Sequence, residues 1–113
     1  MPITIQEQPN GITRVTLTGR LDIAGAAAIE VPLNLVAGSK RAVIVDVSGL
    51  EFVASMGLRS LVLTAKAVLA KQGRIVLLNP IPAVAEVITT SGVDELMPIC
   101  TDEEEAVAAV ILA

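Results

Sequence analysis

The sequence predicts an α/β fold: a single domain with a mostly parallel sheet, an N-terminal antiparallel hairpin and about four helices. Three observations lead there. Strand-like and helix-like segments alternate along the chain after an initial pair of strands. Two short apolar runs read as strands buried on both faces, the mark of a parallel sheet. An Asn-Gly pair sits between two segments of period-2 alternation near the start.

The elements follow in order. Ile3 and Ile5 alternate with polar residues, as do Val15 and Leu17 with Arg14, Thr16 and Thr18, and Pro9-Asn10-Gly11 supplies the turn between them. Residues 23–37 are Ala-rich and helical in composition, but Pro32 removes a backbone donor and predicts a kink or break near Val31. Ala42–Val47 and Arg74–Leu78 are the two buried strands. Between them a helix is expected from about Met56 to Gln72, closed by Gly73. A further helix runs from Pro82 to Ser91 with Gly92 as its stop. Met97–Cys100 reads as a short last strand, and Thr101 and Glu104 have capping-box spacing ahead of a final Ala/Val helix.

Composition narrows the function. The chain has 113 residues, 53% hydrophobic and 18% charged, which suits one globular domain over residues 1–113. Its net charge is -4, with eight basic and twelve acidic residues, and Phe52 is the only aromatic. Nucleic-acid binding needs a basic surface or stacking platforms, so that class is set aside. With no histidine and Cys100 as the single cysteine, neither a Cys/His zinc site nor an internal disulfide can be built. No cofactor is implied. The N-terminus lacks signal-peptide character, and no apolar run is long enough to insert in a membrane; a cytoplasmic setting is expected.

Catalysis is not expected. Ser55 is the one serine placed as a nucleophile would be, and a Ser-His-acid triad is impossible without histidine. Of the lysines that could serve a Ser-Lys pair, Lys66, eleven residues along the same helix, is roughly 16 Å away at 1.5 Å per residue, and Lys40 has no place fixed by the sequence. The phosphate-loop and dinucleotide fingerprints are absent.

Residues 55–71, placed on a helix, divide into two stripes. Leu58, Leu61, Val62, Ala65, Val68 and Leu69 form a core face. Met56, Ser60, Leu63 and Ala67 gather opposite, flanked by Arg59, Lys66 and Lys71. Apolar residues on the outer side of a helix that packs on a sheet point to a partner surface, the alternative being cover by another helix or a loop. Ser55 falls at or near the N-cap, where serine is a good cap and where a phosphate would meet free amides and the helix dipole. Asp22 reads as a cap for the first helix with a second role at the partner surface, Asp46 as a strand-end acceptor for loop amides, and Phe52 and Cys100 as core.

Three stretches carry a family resemblance: Thr18-Gly19-Arg20-Leu21-Asp22; Val43 to Leu50 followed by Phe52-Val53-Ala54-Ser55-Met56-Gly57-Leu58; and Gly73 to Pro80 followed by Ser91-Gly92-Val93. In this order and spacing they resemble a STAS domain of the bacterial anti-sigma factor antagonists. The resemblance implies a switch in which the unmodified protein binds an anti-sigma factor that is also a serine kinase. The kinase then uses ATP to phosphorylate a serine and the complex parts. Ser55, Gly57 and Leu58 match the family's Asp-Ser-Ser/Thr-Gly-Leu motif, while Ala54 replaces its acid and Met56 its second hydroxyl residue. The partner-binding set read from helix and motif together is Asp22, Ala54, Ser55, Met56, Gly57, Arg59, Ser60 and Leu63, with phosphorylation at Ser55. The alternatives are a STAS scaffold module without phosphorylation, in a stress-signalling or membrane-transport complex, and a homodimer formed through the Met56/Leu63 stripe.

Overall fold

Asn10 and Gly11 both take left-handed backbone, with φ of 69° and 74°, and so turn the chain between its first two strands. The computed structural model describes residues 2–111, so the ends of the expected 1–113 domain lie outside the described residues. Strand β1 (Ile3–Glu7) pairs antiparallel with β2 (Thr13–Leu21), with Ile5 opposite Val15. Strands β3 (Ala42–Val53), β4 (Arg74–Leu78) and β5 (Ile99–Cys100) then add in parallel, giving the sheet order β1-β2-β3-β4-β5. The four helices are α1 (Ile23–Ser39), α2 (Ser55–Ala70), α3 (Pro82–Thr90) and α4 (Glu103–Val110).

The near-continuous apolar run of β3 is explained by two cores. Val43, Val45 and Val47 face a cluster with Ile29 and Leu33 of α1, Leu61 and Val68 of α2, and Val84 and Ile88 of α3. Ala42 and Ile44 point to the other face, where Val76, Cys100, Ala106 and Val110 form a second cluster under α4. Each fully buried large aliphatic contributes about 1.5–3 kcal/mol relative to exposure. Arg14 pins α4 to this second face: its guanidinium reaches Asp46 Oδ2 at 3.0 Å and also pairs with Glu103. Cys100 is buried, and burial together with the nearby Glu105 pushes its thiol up to about 11.

Several expectations are corrected. Helix α1 runs unbroken through Pro32. Proline removes one bond to the Ala28 carbonyl, but Ala28 is exposed and water can solvate that oxygen, while Ile29, Leu33 and Val36 hold the helix on the core. Strand β3 continues to Val53 because β2 accompanies it, through two register shifts, as far as Leu21 opposite Val53. Asp46 therefore lies within β3, accepting from the Ser48 amide (3.0 Å) and hydroxyl (2.7 Å) as well as from Arg14. Phe52 is not core: it is 38% exposed, with the Arg20 guanidinium 4.3 Å from its ring centroid. Leu69 is likewise exposed. The last strand covers only Ile99–Cys100.

Two caps also move by one residue. Gln72, not Gly73, takes the left-handed conformation after α2 (φ 65°), and the Gln72 and Gly73 amides donate to the Leu69 and Val68 carbonyls. Helix α4 is capped by Asp102, which accepts from the Glu105 amide at 2.8 Å, while the Glu105 carboxylate accepts from the Thr101 amide.

Candidate functional site

Parallel strands β2 and β3 end side by side at Leu21 and Val53, and each leads at once into a helix. The N-termini of α1 and α2 are therefore neighbours at one end of the sheet. Asp22 caps α1, its carboxylate accepting from the Gly25 amide at 2.9 Å. The Ala54 amide donates to the Leu21 carbonyl at 2.9 Å, tying the start of α2 to the end of β2.

Ser55 is the first residue within α2, next to the N-cap, as its expected place at or near the cap allows. Ala54 occupies the N-cap and has no side-chain acceptor to offer. The Ser55 side chain is exposed and makes no capping bond. The first intrahelical bond is from the Leu58 amide to the Ala54 carbonyl (3.0 Å), so the amides of residues 55–57 precede it. The positive end of the α2 dipole is thus neither capped by a side chain nor met by an acidic residue in its first turn. Restoring a cap gives one expectation. Ala54→Asp should stabilise the domain by about 1 kcal/mol, raising its thermal midpoint by about 4 °C in a calorimetric scan.

Gly57 is buried, and its task is spatial. A Cβ built on it would lie 2.4 Å from Leu21 Cγ and 3.0 Å from the Leu21 carbonyl oxygen. Only a residue without a side chain lets the first turn of α2 lie on the end of β2. Gly57 thus sets the position of Ser55 without offering surface of its own.

The rest of the predicted set follows α2 outward. Met56 and Leu63 stay 47% and 56% exposed, uncovered by any other described element. Ser60 is half-buried and donates its hydroxyl to the Met56 carbonyl (3.1 Å). Arg59 is exposed and, among the described residues, makes no ion pair. Helix α1 supplies the opposite wall, so the stripe is one side of a groove of about 330 Å³. Ile23 and Glu30 form the α1 rim, Met56, Arg59 and Leu63 the α2 rim, and Leu33 lies in the floor. Of the predicted residues, Met56, Arg59, Ser60 and Leu63 line this groove, and Ser55 is exposed at the head of α2, next to Met56. Asp22 and Ala54 are half-buried at its upper end as the two caps.

The α1 wall was not read from the sequence. Its signal is an apolar residue directly after a cap, Ile23 after Asp22, on a helix with only one charged side chain, Glu30. The arrangement sets an apolar trough with one charge on each rim beside an exposed hydroxyl at an uncapped helix head. No helix among the described residues is long and apolar enough to cross a membrane.

Sequence and fold comparisons find the same family and the same fold. The family model of the STAS domain matches residues 4–106. A Bordetella bronchiseptica protein named "Putative anti-sigma factor antagonist BtrV" is 34% identical over 101 residues, covering 88% of this chain and 87% of that protein. The crystal structure of an anti-sigma factor antagonist from Mycobacterium paratuberculosis superposes with a TM-score of 0.86 at 27% identity, over 96% of this chain and 92% of that one. The Bacillus cell fate determinant SpoIIAA in its phosphorylated form gives a TM-score of 0.71 at 25% identity, over 91% and 95% of the two chains. With the five-stranded sheet, four helices and Ser55 at the head of the second, these matches identify the chain as a member of the STAS domain family, akin to the anti-sigma factor antagonists.

Proposed function

We propose that this protein is an anti-sigma factor antagonist that docks, through the head of α2 and the groove between α1 and α2, onto an anti-sigma factor that is also a serine kinase. The kinase uses ATP to phosphorylate Ser55, and the phosphate ends the complex. The observation that carries this reading is the exposed, uncapped Ser55 hydroxyl beside the exposed Met56 and Leu63. Two similarities support it: a relative named as an antagonist, and a similar fold solved in a phosphorylated form.

The physics of release is local. A phosphate adds about -1.5 to -2 charge at neutral pH. On Ser55 it would be held by the amides at the head of α2, so the helix itself tolerates the modification. The apolar rim next to it does not tolerate burial of that charge, because a docked partner must strip its water without repaying it. Modification therefore acts on the complex rather than on the fold.

Incubation with the cognate anti-sigma factor kinase and Mg-ATP should add one phosphate, which peptide mass spectrometry maps to Ser55. An unmodified Ser55 peptide in the presence of a kinase that is turning over ATP overturns the proposal. A transporter or a large assembly as the sole partner in native mass spectrometry would instead favour a scaffold role.

A further inference from the structure

Helix α1 carries more apolar surface than docking at the head of α2 requires. Its core side is Ala26, Ile29, Leu33 and Val36. At about 100° per residue the opposite side holds Ala24, Ala28, Val31 and Leu35. Val31 and Leu35 are each 68% exposed, and Ile23 is 73% exposed. Large apolar side chains gathered on the outer face of a helix call for cover. Here, among the described residues, the sheet and α2 cover only part of it.

The charges say what fits there. Residues 23–39 contain no Lys or Arg, so α1 lacks the basic border with which a helix settles on anionic lipid. Glu30 stands on the α1 rim of the groove and Arg59 on the α2 rim. Neither has an ion-pair partner among the described residues. In a two-fold interface, if one residue meets a second on the other copy, the second meets the first in return. One acid and one base on facing rims satisfy that condition. A two-fold axis along the groove lays α1 of each copy over α2 of the other. It sets Glu30 against Arg59 twice, and it brings Val31 and Leu35 onto the Met56/Leu63 stripe.

We propose that the α1–α2 layer is a homodimer interface, in which Glu30 of each copy pairs with Arg59 of the other and the outer face of α1 covers the Met56/Leu63 stripe. The claim concerns the purified chain alone and does not rest on the anti-sigma factor. Its consequence for the proposed function is competition, since the dimer occupies the groove that the partner would enter.

Sedimentation equilibrium of the purified chain from micromolar to millimolar concentration tests it. A reversible monomer–dimer equilibrium is expected. Leu35→Asp should raise the dimer Kd about tenfold or more, and Glu30→Arg or Arg59→Glu alone should do likewise. The double variant Glu30→Arg/Arg59→Glu should return to within about threefold of the parent, because the exchange restores both pairs. Circular dichroism melts check that each variant is folded. A monomer at every concentration, a dimer indifferent to these substitutions, or a double variant no better than the single ones overturns the proposal.

Discussion

Leu63→Asp is expected to weaken binding of the anti-sigma factor by roughly thirtyfold or more, about 2 kcal/mol, while leaving the domain folded. Leu63 is more than half exposed, so the substitution removes little buried surface and creates no cavity. Thermal stability should therefore change by no more than about 0.5 kcal/mol. The effect falls on the complex. Leu63 lines the α2 rim of the groove, and an aspartate there would be buried against the partner's apolar surface with no cation assigned to it. Arg59, one turn earlier on the rim, would soften but not cancel that cost, because an exposed ion pair is worth at most about 1 kcal/mol. Calorimetric titration alongside a thermal melt separates the two quantities. Unchanged affinity would remove the groove from the docking surface. Lost affinity with a collapsed melt would mean that Leu63 is structural, contrary to its exposure.

Gly57→Ala should destabilise the domain by about 1–3 kcal/mol, visible as a lower urea midpoint. Two effects oppose each other. Alanine is favoured over glycine within a helix by about 0.8–1.0 kcal/mol. Against this, the new methyl would sit 2.4 Å from Leu21 Cγ and 2.8 Å from Cδ2, and Leu21 is fully buried and cannot swing away. The Leu21 carbonyl also accepts from the Ala54 amide, so any shift that relieves the clash pulls on the start of α2. The steric term therefore wins, and docking should weaken together with stability as Ser55 is displaced. A midpoint equal to or above that of the parent would show that α2 is free to move away from β2.

Much of this architecture was legible in the chain. The alternation of Ile3, Ile5, Val15 and Leu17 marked the hairpin, and the runs at Ala42–Val47 and Arg74–Leu78 marked strands with cover on both faces. The order of five strands and four helices follows from those signals and from the stops at Gly92 and after α2. What escaped is tertiary in origin. The apolar run ends at Val47, yet pairing with β2 keeps the chain extended as far as Val53. Pro32 reads as a breaker, yet the packed face of α1 outweighs one lost hydrogen bond. Phe52 reads as core on hydrophobicity alone, but its partner is the cation of Arg20 at the surface.

The site divides in the same way. Met56, Ser60 and Leu63 fall on one stripe by helical spacing, with Arg59 on its flank, which is local information. That α1 supplies the facing wall, with Ile23 and Glu30, depends on parallel strands leading into neighbouring helices. No periodicity within one segment contains that fact. The position of Ser55 one residue inside α2 likewise depends on the bond between the Ala54 amide and the Leu21 carbonyl.

The most direct test of the central claim compares two forms of the same protein. The cognate anti-sigma factor is titrated calorimetrically with the unmodified chain and with the chain phosphorylated at Ser55, after melts have shown both to be equally folded. A phosphate that must be desolvated against an apolar rim should weaken the complex at least tenfold, about 1.4 kcal/mol or more, with Ser55→Ala retaining the unmodified affinity. Equal affinities for the phosphorylated and unmodified forms would contradict the account.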